Sequence, residues 1–222
     1  MGKVVTATAP ESEKEAGTAT AMSRDLDPCC SQQWRHHEKK SSTGREDLKH
    51  LGESGHTALF SAVCCGQLEI VRLLADRGAN IETRNSDGVT LIYAAAQNGH
   101  LEVVRFLADR GLDFETPNIN GATPIYVAAQ NGHLEVVRLL ADRGAKIAAL
   151  TNDGRTPIYE AARFGHLEVV RILAGRGADI TTPSDDGSTP IHAAACNARV
   201  EVVRFLVDQG AIFETWMLIG RS

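Results

Sequence analysis

The chain has 222 residues, a formal net charge of −5 and only 5% aromatic residues. A mildly acidic chain offers no basic stripe for phosphates, and so few rings make no stacking platform, which excludes general nucleic-acid binding. Five cysteines, in the adjacent pairs Cys29–Cys30 and Cys64–Cys65 and a lone Cys196, lack the even count and spacing of a disulfide framework.

Residues 1–50 read as a disordered tail, rich in Thr, Ala, Ser, Glu and Lys and poor in large apolar groups. Met1 to Thr6 fits the loose myristoylation pattern around Gly2, but Lys3 weakens it, and one acyl chain binds membranes only marginally. Cys29–Cys30 with His36–His37 is a cluster of possible metal ligands, yet adjacent thiols lack the C-x2-C spacing, so an inert tail is expected and no metal or other cofactor is assigned. Glu46 to Leu51 suits a turn of helix leading onward. No apolar run is long enough to span a bilayer and no secretory leader is recognisable, so a cytoplasmic location is expected, with the nucleus as the alternative.

From Ser54 to Leu218 one 33-residue unit recurs five times, over 54–86, 87–119, 120–152, 153–185 and 186–218, leaving 219–222 as a C-terminal remnant. Gly78, Gly111, Gly144, Gly177 and Gly210 hold the phase without insertion or deletion. A fixed period of this length is the signature of a solenoid, in which function sits on an extended surface rather than in a pocket.

The third unit shows the logic. Asn120–Gly121 is a tight-turn dipeptide, matched by Asp87–Gly88, Asp153–Gly154 and Asp186–Gly187. Thr123–Pro124 predicts a helix start, with threonine as N-cap and proline at the first position, and Thr156–Pro157 and Thr189–Pro190 repeat it. Ile125 and Ala128–Ala129 face inward on a short first helix, which Gly132 ends in the left-handed region. A second helix carries Leu134, Val136, Val137, Leu139 and Leu140 up to Gly144. Each such pair needs a neighbour to cover its side.

The terminal units depart from the pattern. Gln67 stands in the place of His100, His133 and His166, while Ala198–Arg199 replaces Gly-His, with a strain of about 1 kcal/mol expected at Ala198. Phe213, Trp216, Met217, Leu218 and Ile219 make the end apolar; the expectation is a segment folded back over the last helices, with a partner-binding or self-association patch as the alternative.

The runs DGVTLIYAAAQNGHLEVVRFLADRG, NGATPIYVAAQNGHLEVVRLLADRGA and DGRTPIYEAARFGHLEVVRILAGRGADI resemble ankyrin repeats over Ser54 to Leu218. The resemblance implies an all-α fold, an ankyrin-repeat solenoid of helix pairs with projecting β-turn tips, and binding of other proteins on its concave face. Two positions depart from the family. Phe60, Tyr93, Tyr126 and Tyr159 replace a usual histidine that only His192 keeps, which predicts altered hydrogen bonding with the fold retained. Glu82, Glu115, Ala148, Thr181 and Glu214 replace an asparagine that is hydroxylated in some members.

Chemistry-bearing patterns are sparse. His100, His133 and His166 repeat in phase, so stacking holds them roughly 10 Å apart, too far to share a metal, and structural hydrogen bonding is expected. Glu at i with Arg at i+3 recurs from Glu69–Arg72 to Glu201–Arg204 and reads as a self-neutralised solvated face. Phosphate-loop, HExxH, GxSxG and dinucleotide fingerprints are missing, so no enzyme is expected.

Partner-binding residues are therefore sought at the turn tips and first helices. The second and third units offer Ser86, Val89, Ala94, Gln97 and Asn98, then Ile119, Ala122, Val127, Gln130 and Asn131, with a shared Gln–Asn pair. The fourth breaks the pattern with Arg155, Glu160, Arg163 and Phe164, residue types in which arginine and aromatics favour hot spots, although Arg163 can also pair with Glu160. The expected function is a non-catalytic, monomeric adapter holding a protein partner with an acidic or mixed-charge segment. The alternatives are a substrate-recruiting subunit of a ubiquitin ligase or similar enzyme system, and a membrane scaffold lipidated at Gly2 and Cys29–Cys30.

Overall fold

The computed structural model describes residues 58–211. The features expected of the first fifty residues, and of Phe213 to Ile219, lie outside the described residues.

Ten helices, and no strand, occur among the described residues: α1 Ala58–Cys64, α2 Leu68–Asp76, α3 Leu91–Gln97, α4 Leu101–Asp109, α5 Pro124–Gln130, α6 Leu134–Asp142, α7 Pro157–Phe164, α8 Leu167–Gly175, α9 Pro190–Cys196 and α10 Val200–Asp208. Odd-numbered helices are the inner ones and pack on each other; even-numbered helices form the outer row. Between pairs project four fingers, closed at their bases by backbone bonds such as Asn118 N to the Ala122 carbonyl at 2.9 Å and Thr151 N to the Arg155 carbonyl at 3.0 Å.

The sequence explains each boundary. Thr90, Thr123 and Thr156 accept a hydrogen bond from the amide three residues on, and Pro124, Pro157 and Pro190 follow as first helical residues. His192 folds its Nδ1 back onto Thr189, 2.8 Å from the hydroxyl. At the core, Ala95, Ala128, Ala161 and Ala194 of successive inner helices are completely buried, as are Val104, Val137 and Val170 of the outer ones. Alanine at the inner positions lets neighbouring helices close together, and the branched residues fill the outer seam.

What fixes the stacking is a contact between units. His100 Nε2 donates to the Cys64 carbonyl at 2.8 Å, His133 to Gln97 at 2.9 Å and His166 to Gln130 at 3.0 Å. Arg199, which replaces the histidine in the fifth unit, donates from Nε to the Arg163 carbonyl at 3.3 Å, so the junction survives the substitution. Each of these rings lies against the preceding unit's glycine. A Cβ on Gly66, Gly99 or Gly132 would come within 2.5 Å of the imidazole.

Outside, Arg110 meets Asp76 at 2.6 Å and Arg143 meets Asp109 at 2.6 Å, with Arg176–Asp142 as the next rung. At the following rung both partners are replaced together, by Gly175 and Gln209, so neither charge is stranded. The expected intrahelical pairs close at Glu102–Arg105, Glu135–Arg138 and Glu168–Arg171, at 3.6 to 3.7 Å. At the first position Arg72 lies instead over the Phe106 ring, 5.6 Å from its centroid.

Two glycines separate backbone strain from close approach. Gly144 has φ +86° with nothing within 4 Å, whereas Gly132 has φ +75° and the His166 ring against it. Gly144→Ala is expected to cost about 1–2 kcal/mol from φ alone, and Gly132→Ala a further ~1–3 kcal/mol from crowding. Ala198 is the one non-glycine residue at positive φ among the described residues, at 55°. Ala198→Gly should therefore stabilise, by about 0.5–1 kcal/mol; urea unfolding of the three variants checks the order.

Burial holds the His133 and His166 imidazoles below the usual histidine range, and their bonds to the Gln97 and Gln130 carbonyls oppose this only in part. The unfolded chain then binds more protons just below its own histidine value of about 6.5, so stability is full above that pH and falls as pH drops toward the folded-state values. A double variant His133→Gln, His166→Gln, using the residue type found at position 67, should flatten that acid-side slope in thermal melts taken between pH 7 and 5.

Candidate protein-binding surface

Above the inner helices, the finger bases of the second to fourth units enclose a groove of about 420 Å³, lined by Tyr93, Asn118, Tyr126, Gln130, Thr151 and Asp153 among others. Its walls are built by the tyrosines that replace histidine. The Tyr93 hydroxyl accepts from Asn118 Nδ2 at 3.2 Å, and Tyr126 hydrogen-bonds the Thr151 hydroxyl, each phenol reaching the finger that follows its own helix pair. Burial, with Glu160 and Asp153 nearby, pushes the Tyr126 phenol well above its ordinary range, so it stays a neutral donor.

The finger tips are tied to one another. Ile119 N donates to the Asp87 carbonyl at 3.0 Å, Asn152 N to Asn120 at 2.9 Å and Asp185 N to Asp153 at 3.1 Å. Inside the first two fingers, Asn85 and Asn118 each accept two backbone amides through Oδ1. In the next two, a hydroxyl donates to an aspartate instead, Thr151 to Asp153 at 2.9 Å and Ser184 to Asp186 at 2.7 Å.

Beside the groove lies a charge cluster peculiar to the fourth unit. Glu160 is completely buried. Its carboxylate accepts from Arg155 Nη1 at 3.3 Å, from Arg163 Nη1 at 3.4 Å and from Gln130 Nε2 at 3.5 Å. Arg155 Nε stands 3.3 Å from Asp153 Oδ2, close enough for an ion pair but not aligned for a hydrogen bond. Arg155 also lies over the Tyr159 ring and Arg163 over Phe164, at 5.6 and 5.2 Å from the centroids. Burial works against the Arg155 charge, and Asp153 with Glu160 outweighs it, so its guanidinium is held more firmly protonated than usual.

Several expected surface positions are corrected by this geometry. Glu160 is no exposed contact: it occupies the register of Ala94, Val127 and Ala193, which point into the core. Ala94, Val127 and Ala122 are buried too, and Val89 is half-buried against the core. Of the Gln–Asn pairs, Gln130 reaches the groove, while Asn98 Nδ2 bonds back to the Ala94 carbonyl and Asn131 Nδ2 to the Gln97 carbonyl. Arg163 and Phe164 remain accessible at the end of α7, with Phe164 39% exposed and stacked near His166. Sequence reasoning missed Tyr93, Asn118, Thr151 and Asp153 as groove residues; the signal was the tyrosine substitution, read only as a change of hydrogen bonding.

Removing both arginines would strand a buried carboxylate. Arg155→Ala with Arg163→Ala is expected to destabilise by on the order of 3 kcal/mol, and adding Glu160→Val, the residue type at 127, should recover most of it. Urea unfolding of the double and triple variants measures the difference.

A family model described as ankyrin repeats (3 copies) matches residues 28–118, 80–149, 113–184 and 148–216, its first match starting upstream of Ser54. No curated protein shows a match to the chain. No helix among the described residues is long and apolar enough to cross a membrane.

Proposed function

The chain belongs to the ankyrin-repeat family, protein-interaction modules as a class, and from that premise we propose that it is a non-catalytic adapter which holds one protein partner on the face between its fingers and inner helices. The observation that carries this reading is the groove of about 420 Å³ on that face, with the fourth unit's arginines beside it. Its walls are amides, hydroxyls and phenols whose geometry is set by bonds between units, a surface that is ordered before a partner arrives. Hydrogen-bonding walls of this kind suit the backbone and polar side chains of a protein segment.

Arg163 supplies the charge preference. Both of its bonds to Glu160 leave from Nη1, and its side chain is 39% exposed over Phe164. The Nε edge of the guanidinium then suits a partner carboxylate, which favours a segment of acidic or mixed charge over a basic one. The cytoplasm, where cysteines stay reduced, is the compartment that fits Cys64, Cys65 and Cys196, none of which forms a disulfide.

Affinity capture on the full-length chain tests the reading, with Asn120→Arg to fill the groove and Arg163→Ala to remove the accessible guanidinium, each checked for folding by circular dichroism. The expected result is one protein recovered about tenfold less with either variant. Equal recovery from wild type and both variants would move the interface off this face.

A further inference from the structure

The last unit leaves a stacking face open. Val63, Ala96, Ala129 and Ala162 share one register and are completely buried, yet Ala195, next in that series, is exposed. Val71, Val104, Val137 and Val170 are likewise completely buried, and Val203 is only half-buried. On the same outer helix α10, Val200 is 62% exposed and Val207 43%. In every earlier unit this side is covered by the helix pair that follows. Four apolar side chains in one patch are a surface that calls for cover.

The same face refuses a further unit of the usual kind. At the internal junctions a glycine admits the next histidine ring at distances that a Cβ would violate. Ala198 carries that Cβ at the corresponding place, at φ 55°. A histidine-bearing helix pair could seat here only by shifting away, so the occupant has another shape.

The residues that directly follow Ala211 fit. Phe213 is in register with Ile81, Phe114, Ile147 and Ile180, which pack against the core of their own units, so its expected place is beneath its own helix pair. That leaves Trp216, Met217, Leu218 and Ile219, four consecutive large apolar residues, unassigned. The chain from Phe213 to Ile219 reaches about 20 Å when extended, and α10 is about 14 Å long, so the segment can lie along the whole helix. We propose that residues 212–222 turn back over Ala195, Val200, Val203 and Val207 and cover the open end of the array, with the Trp216 indole on the valines.

The test uses the full chain with Trp34→Phe, so that Trp216 is the sole indole, since the sequence contains two tryptophans. Emission wavelength and acrylamide quenching are read for this protein and for added Val200→Ser, Val207→Ser, both exposed enough to change without harming the fold. An Ile70→Ser variant, an exposed residue at the opposite end, is the control. The expected result is a blue-shifted, quencher-protected indole in the monomer, with quenching several-fold greater in the valine variant and unchanged in the control. Three results overturn the proposal: a solvent-like indole from the outset, protection that ignores both valines, or protection only at concentrations where sedimentation shows dimers, which would make a second copy the occupant.

Discussion

Everything in this array depends on one contact repeated at each junction: a flat side chain laid against a left-handed glycine and hydrogen-bonded to a carbonyl of the unit before it. The imidazole is well matched to the task, being thin enough to lie within about 3 Å of where a Cβ would be and carrying an N–H at its far edge. The carbonyl lies 36 residues back in each case, and that constant separation is why no unit is longer or shorter than its neighbours. Because stability in a solenoid is a sum of unit and interface terms, such a junction sets how far a perturbation spreads. Arg199 shows that the requirement is for a donor at that reach, not for an imidazole as such.

Charge is handled locally. The outer Asp–Arg rungs join exposed groups and contribute little each, so the loss of one at Gly175 and Gln209 is tolerable because it removes both partners. The fourth unit does something different by placing a carboxylate where its siblings bury alanine or valine. Such a group is stable only with its two guanidiniums present, and it in turn fixes their position. Arg155 and Arg163 are held at the rim of the groove by a charge that no partner can touch.

Sequence alone made the helix pairs, their threonine caps, their glycine turns and the strain at Ala198 legible, because each rests on neighbours within one unit. It failed at Glu160 for a physical reason. A single carboxylate in a short helix reads as solvated, and only its register with Ala94, Val127 and Ala193 reveals that its direction is inward. The Asp–Arg rungs were invisible to a search for partners three or four residues apart, since each spans two units, although the repeated Ala-Asp-Arg-Gly was in view. Ile119 shows the limit from the other side: its exposure at a finger tip, 62%, followed from the turn, but the backbone bond tying that tip to Asp87 depends on how the units stack.

The tyrosines bring these threads together. A histidine after the Thr-Pro pair turns its Nδ1 back onto the cap of its own helix, as His192 does. A phenol in the same place is too long for that cap and extends to the next finger, where Tyr93 meets Asn118 and Tyr126 meets Thr151. The cap is kept by threonine alone, and the phenol's bond stiffens the wall of the groove. Ordering the fingers within the folded chain removes a cost that binding would otherwise carry, since immobilising a side chain at an interface takes about 0.5–1.5 kcal/mol. A substitution that looks like a loss from the repeat pattern is therefore one that shapes the surface on which a partner would act.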